Sequence, residues 1–309
     1  MSVFKHNFST FEMYTPLTLE DELARGAFGK VYVVNTEKGK VAVKSVTQLE
    51  RYTNREFDTC KRLAQENNPN IVKFLGYWFK KATFYLVMEF IPNTLNNVLE
   101  KLSIEQMRME MNIMNTLMKQ LAQALEYLEK IQLMHRDIKP DNILVDMFNN
   151  RLVLADFGSA KFLKDGQIHT TYICSRFYRA PCLILDRNMY STSIDIWSFG
   201  CVLAEFAYGR PLFTGHTQIA VLSKIINIIG MATIDDIVNM PSSYNEDIKL
   251  ADNYVNYTKK SWSKVFTRTI NDKSINTSYG NNYEEILDAC LQWNCNKRIS
   301  AHDLVKKFN

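Results

Sequence analysis

The chain has 309 residues, 46% of them hydrophobic and 23% charged, which is enough to build sizeable cores. Its formal charge is only +4 and the basic residues are dispersed, which excludes a nucleic-acid-binding composition; the densest run, KKSWSK at Lys259 to Lys264, reads as a solvated face. The six cysteines form no C-x-x-C pair and no zinc spacing, so reduced thiols in a cytoplasmic or nuclear protein are expected.

The N-terminal MSVFKHNFSTFEMY has no apolar core and does not read as a secretory signal. LARGAFGKVY, Leu23 to Tyr32, is a glycine-containing turn between strand-like segments. Such a turn lets backbone N–H groups approach phosphates with no Cβ in the way, although an ordinary hairpin turn has the same look. KVYVVN and KVAVKSV are β-branched runs split by TEKGK, which predicts a hairpin. TNREFDTCKRLAQEN predicts a helix ending before Asn68 and Pro69. IVKFLGYWF and FYLVMEF predict two more strands, closed by Pro92. Residues 103–130 carry Met107, Met111, Met114, Met118, Leu121, Leu125 and Leu128 at helical spacing. One long helix is predicted there, capped by Ser103 with Gln106, its methionine stripe serving as core. The longest apolar run, IWSFGCVLAEFAYG, contains Glu205 and is too short to cross a bilayer, so it reads as a buried helix, and no membrane partner is expected. The fold class is therefore α+β: a small β-rich lobe over residues 1–90, then a larger helical lobe over 91–309, hinged near Glu89 to Pro92.

Chemistry concentrates in a few strings. Lys44 ends VAVK on a strand after the glycine turn, a position suited to gripping phosphates; Glu56 on the next helix is its natural partner. HRDIKPDN, His135 to Asn142, holds an aspartate and an asparagine in one loop. Asp137 can orient a hydroxyl and accept its proton, Lys139 can neutralise a transferring phosphate, and Asn142 can bind magnesium. Asp156 of DFG supplies the carboxylate for the phosphate-bridging metal.

In order, VAVK, HRDIKPDN, DFG and RAP resemble a eukaryotic protein kinase from about Leu23 to Phe308. DIWSFGCVLAE is similar to that family's central buried helix, in which Asp195 would tie the catalytic loop. The resemblance implies ATP with Mg2+. The nucleotide would lie under Leu23, Ala24, Arg25, Gly26, Ala27, Phe28 and Gly29, between Val31 and Ala42 above and Leu144 below. The backbone of Glu89 to Ile91 would hold adenine, with Met88 as gatekeeper. The family's first loop glycine is Ala24 here. A catalytically dead binding module is the rival class, but Lys44, Glu56, Asp137, Asn142 and Asp156 all stand.

DFGSAK followed by YICSRFYRAP resembles the glycogen synthase kinase-3, or shaggy-like, branch of the CMGC group. That resemblance implies Tyr172 as a phosphosite, with Arg176 and Arg179 pairing with its phosphate. It also implies protein substrates already phosphorylated four residues C-terminal to the target serine or threonine. That phosphate would be read by Arg55, Arg136 and Lys161, a basic trio suited to a dianion. A mitogen-activated-type kinase stays open through Thr170, Thr171 and Tyr172. The YTNRE helix start fits a cyclin-dependent kinase less well. MSVFKHNFST offers no R-x-x-S context, so the family's N-terminal inhibitory serine is not expected, nor is a counterpart of its C-terminal tail. The family's scaffold-protein groove lies after the helix near Gln218 to Ile229, and the loop that follows, PSSYNEDIKLADNYVNY, differs from the family's, which puts scaffold binding in doubt.

One letter breaks the pattern. The glutamate of the family's A-P-E is Cys182, while the buried arginine it pairs with is present as Arg298. Breaking a buried pair costs about 3–5 kcal/mol. The expected remedies are a substitute acid, Glu205 or Asp186, or exposure of Arg298 to solvent.

Overall fold

The computed structural model describes residues 12–14, 16–19, 21–26, 29–47, 55–81, 83–164, 166–241, 257–270, 273–276 and 281–308. The N-terminal part is a six-stranded sheet of β1 (Glu12–Met13), β2 (Asp21–Gly26), β3 (Gly29–Thr36), β4 (Gly39–Thr47), β5 (Phe74–Lys80) and β6 (Thr83–Glu89), ordered β1-β5-β6-β4-β3-β2. Only β1 against β5 is parallel. The predicted hairpin is β3–β4, with Thr36 paired to Gly39.

Strand alternation sorts the sheet's two faces. Val41 and Val43 of β4 join Val34, Leu75, Trp78 and Val87 on one face, where Trp78 stacks on Tyr85 at 4.8 Å. Ala42 belongs with Phe74, Phe84, Leu86 and Met88 on the other. That second face carries α1 (Arg55–Glu66), which buries Glu56, Thr59, Cys60 and Leu63 at i, i+3, i+4 and i+7. Phe57 clamps it edge-on against Tyr77 and Phe84 at 4.7 and 5.2 Å.

Beyond Glu89 the chain turns helical. β7 (Asn93–Thr94) leads into α2 (Leu95–Ile104), and Thr94 caps it in a capping box with Asn97. The single helix expected over 103–130 is two: α3 runs Met111–Lys130. Gln106 adopts a left-handed φ of 54° and its N–H bonds back to the Ser103 carbonyl, so this pair ends α2 instead of starting a helix. The break turns Met107 and Met111 outward, and the buried stripe begins at Met114.

β7 joins β9 (Ile143–Asp146) and β10 (Arg151–Leu154) in one small sheet, and β8 (Leu133–Met134) pairs with β11 (Lys161–Phe162) in another, on either side of residues 135–142. Then come α4 (Pro181–Ile184), α5 (Ser193–Tyr208), α6 (Gln218–Ile229), α7 (Ile234–Val238), α8 (Trp262–Val265), the β12 (Thr267–Ile270) and β13 (Lys273–Asn276) hairpin, α9 (Asn281–Cys290) and α10 (Ala301–Lys306). As expected, α5 is buried along nearly its whole length. It approaches α9 so closely that a Cβ on Gly200 would stand 2.9 Å from that of Cys290. No described helix is long and apolar enough to cross a membrane.

Candidate active site

The cleft between the sheet and the helices collects the motif residues. Lys44 sits on the cleft side of β4, and its Nζ donates to Glu56 Oε1 at 2.6 Å and Asp156 Oδ1 at 2.7 Å. Burial opposes the ammonium, but the two carboxylates outweigh it and keep Lys44 charged well above the ordinary lysine range. Burial likewise disfavours the Asp156 carboxylate, and Lys44 overcomes this, holding its pKa below the usual range. Asp156 is left-handed at φ 60° and turns its carboxylate onto the Gly158 N–H. Phe157 then points inward against Phe74 and His135 at 6.0 and 4.9 Å.

The loop from His135 to Asn142 hangs from α5. Asp195 accepts the backbone N–H groups of His135 and Arg136 at 2.7 and 2.9 Å, an arrangement that goes with a left-handed Arg136. Asn142 Nδ2 donates to the Asp137 carbonyl at 2.7 Å and to Oδ2 at 2.9 Å. Its amide oxygen is left to offer a metal. Lys139 reaches Asp137 Oδ2 at 3.1 Å. One participant was missed by motif reading. Ser175 gives both its N–H and its hydroxyl to Asp137 Oδ1, at 3.0 and 2.8 Å, and its Oγ accepts from Lys139 at 3.1 Å. It stands in the YICSRFYRAP string, but only the fold brings it to residue 137.

Val31, Ala42, Met88, Ile91 and Leu144 share one apolar cluster, while Leu23 is exposed on β2. The Glu89 side chain is fixed by a bidentate pair with Arg151, 2.7 and 2.8 Å, and by the Lys73 N–H. Ala24, Arg25 and Gly26 lie on β2, and Gly29 opens β3. Gly29 has φ 147°, and a Cβ there would meet the Ser45 carbonyl oxygen at 1.8 Å, so this position requires glycine. Ala27 and Phe28 lie outside the described residues, as do residues 1–11 and most of the divergent loop, 242–256. An apolar slot, a glycine turn, a paired lysine and two oxygen donors fit a magnesium nucleotide.

Beside the cleft is a second group of cations. Arg136 is buried, with Nε donating to the Ser159 carbonyl at 2.6 Å. Burial, then Arg136, Arg55 and Lys164, push the Lys161 pKa down. Lys161 Nζ donates to His169 Nδ1 at 3.0 Å, and burial with Lys161 and Arg136 pushes that imidazole down to about 4. His169 is therefore neutral and adds no charge. Among the described residues no carboxylate pairs with Arg55, Arg136 or Lys161.

Tyr172 is exposed, and the Arg179 guanidinium lies 5.0 Å from its ring centre. Arg176 points elsewhere, donating to the His216 carbonyl at 2.6 Å. Neither remedy expected for Arg298 is found. Arg298 is buried, Glu205 accepts the Tyr178 hydroxyl at 2.6 Å, and Asp186 is exposed and accepts from Thr171. An acid at either position is drawn to a hydroxyl donor of the activation segment.

The family description "Protein kinase domain" matches residues 17–308. Over 233 residues, 74% of this chain, the sequence is 39% identical to the probable serine/threonine-protein kinase glkA of Dictyostelium discoideum. The match spans about half, 47%, of that curated relative's length.

Proposed function

Because the chain belongs to the protein kinase domain family, we propose that it transfers the γ-phosphoryl group of ATP to serine or threonine hydroxyls of protein substrates. The observation that carries this is the joint placement of Asp137, Lys139, Asn142 and Ser175 across from the Lys44–Glu56–Asp156 trio. Lys44 grips the nucleotide phosphates, and Glu56 fixes Lys44. Asp137 orients the acceptor hydroxyl and takes its proton, while Lys139 stands where charge develops on the moving phosphoryl group. Asp156 and Asn142 would hold magnesium, which would supply positive charge against the phosphates. Positioning and charge stabilisation carry most of phosphoryl transfer, and this chain retains the groups that supply both. Incubation with Mg2+, ATP and a serine-containing peptide tests the reading. No transfer beyond an Asp156→Ala control would favour a non-catalytic binding module.

We further propose a glycogen synthase kinase-3-like specificity within the CMGC group, with substrates primed by a phosphate four residues C-terminal to the target. What supports it is the unneutralised Arg55, Arg136 and Lys161 cluster, whose mutual repulsion a phosphate dianion would relieve. The exposed Tyr172 over Arg179 supports a tyrosine phosphosite that an arginine could order. The kcat/KM ratio of primed to unprimed peptide tests the specificity, and a ratio near one sinks it while leaving the kinase reading intact.

A further inference from the structure

Arg298 is a buried cation with no acid beside it among the described residues. Its Nε donates to the Gln292 carbonyl at 3.0 Å, Nη1 to the Ser193 carbonyl at 3.0 Å and Nη2 to the Trp293 carbonyl at 3.4 Å. Its guanidinium lies 5.2 Å from the Trp197 ring centre. These groups supply only partial charge, and among the described residues no Asp or Glu pairs with it. What does face it is sulfur. Cys182 Sγ is 3.8 Å from Nη1 and 3.7 Å from Nη2, and the cysteine is 1% exposed. A full charge left alone in such a place is strongly disfavoured, so the site selects for a negative partner.

We propose that Cys182 is held as a thiolate and acts as the counter-ion of Arg298. Its proton passes to solvent on folding. Cys295, in the turn Cys295–Lys297 that packs against α5, gives its thiol hydrogen to Asn296 Oδ1 at 3.8 Å and stays protonated. The neighbouring Cys295 and then Arg298 lower the Cys182 pKa against the opposing effect of burial, while Cys182 and burial raise that of Cys295.

The surrounding elements offer no rival charge. Two further thiols lie within the electrostatic reach of Arg298, Cys201 on α5 and Cys290 on α9; burial pushes both upward, so they stay protonated. The acids of α5 are engaged elsewhere, Asp195 with the catalytic loop and Glu205 with Tyr178. Arg187, just beyond α4, is a second buried cation and gives its backbone N–H to the Cys182 carbonyl. The other helix packed on α4, α6, has Lys224 as its only charged residue, and Lys224 is exposed. One sulfur therefore carries the charge that the family places on a glutamate.

The pair braces the end of the activation segment. Cys182 lies on α4, directly after that segment, and Arg298 also holds the Ser193 carbonyl at the start of α5. Unlike a glutamate, a thiolate brace weakens near neutral pH. Its folded-state pKa is depressed, so its stabilisation is present above the ordinary thiol pKa and lost as pH falls through the folded value.

Two measurements on the full chain test this. The first is the ultraviolet thiolate absorbance of native wild type and Cys182→Ser in mildly alkaline buffer. The wild type should show an excess of one thiolate, and no excess overturns the proposal. The second is the melting temperature of wild type and Cys182→Glu between about pH 8 and pH 5. The wild type should lose several degrees relative to Cys182→Glu on acidification. Parallel curves overturn the proposal, and this comparison decides alone if Cys182→Ser does not fold.

Discussion

At Asp137, a single carboxylate oxygen receives both the N–H and the hydroxyl of Ser175. The hydroxyl also links Asp137 to Lys139, so Ser175 holds the carboxylate and the cation in one arrangement. Ser175→Ala removes a hydrogen bond to a charged group, about 1.5–3 kcal/mol. Transfer should fall by about tenfold or more, chiefly in kcat, because peptide binding does not depend on this bond. Steady-state kinetics check it; a change confined to KM would mean that Ser175 contacts substrate instead. Motif spacing gave Asp137, Lys139 and Asn142 because they share one loop. Ser175 lies 38 residues from Asp137, and Cys182 lies 116 from Arg298, so their contacts exist only after folding.

Among the elements, α5 is the one from which both halves of the site hang. Asp195 near its start holds the catalytic loop, and Glu205 near its end holds Tyr178 of the activation segment. Burial, partly offset by the Tyr178 hydrogen bond, pushes Glu205 up to about 7. A raised carboxyl pKa means that the folded state binds the proton more tightly. Its contribution is present below the ordinary value and lost as pH rises through the folded one. Wild-type stability should therefore fall across that window, on the order of 1 kcal/mol per pH unit, and Glu205→Gln should flatten the slope. Melting curves between pH 5 and about pH 7 check this. The sign is opposite to that of Cys182, so the two titrations are separable. Period-two alternation made β3 to β6 legible, and helical spacing made α1 and α5 legible. The break between α2 and α3 was not legible, because Gln106 takes a left-handed turn that apolar periodicity does not register.

For the molecule as a whole, the proposed specificity assigns transfer to the cleft and substrate choice to the cation cluster beside it, two separable activities. Arg55 is the exposed member of the cluster, at the start of α1, and takes no part in the Lys44–Glu56–Asp156 trio. Arg55→Ala should lower kcat/KM for a primed peptide by about tenfold, the value of one charge-assisted hydrogen bond, and leave the unprimed peptide unchanged. An equal loss on both peptides would place Arg55 outside substrate selection. The sequence carried the three basic positions only through family resemblance; the neutral His169 that seats Lys161 became visible when the chain folded.

Serine/threonine phosphoryl transfer is tested most directly by the rate of labelled phosphate transfer from ATP to a peptide. Wild type, Asp137→Asn and Asp156→Ala are compared, with the modified residue identified by mass spectrometry. The wild type should label serine or threonine in a magnesium-dependent way, Asp137→Asn should lose about 10²–10⁴-fold, and Asp156→Ala should show nothing above background. Equal rates in all three proteins, or no labelling by the wild type, would contradict phosphoryl transfer by this site.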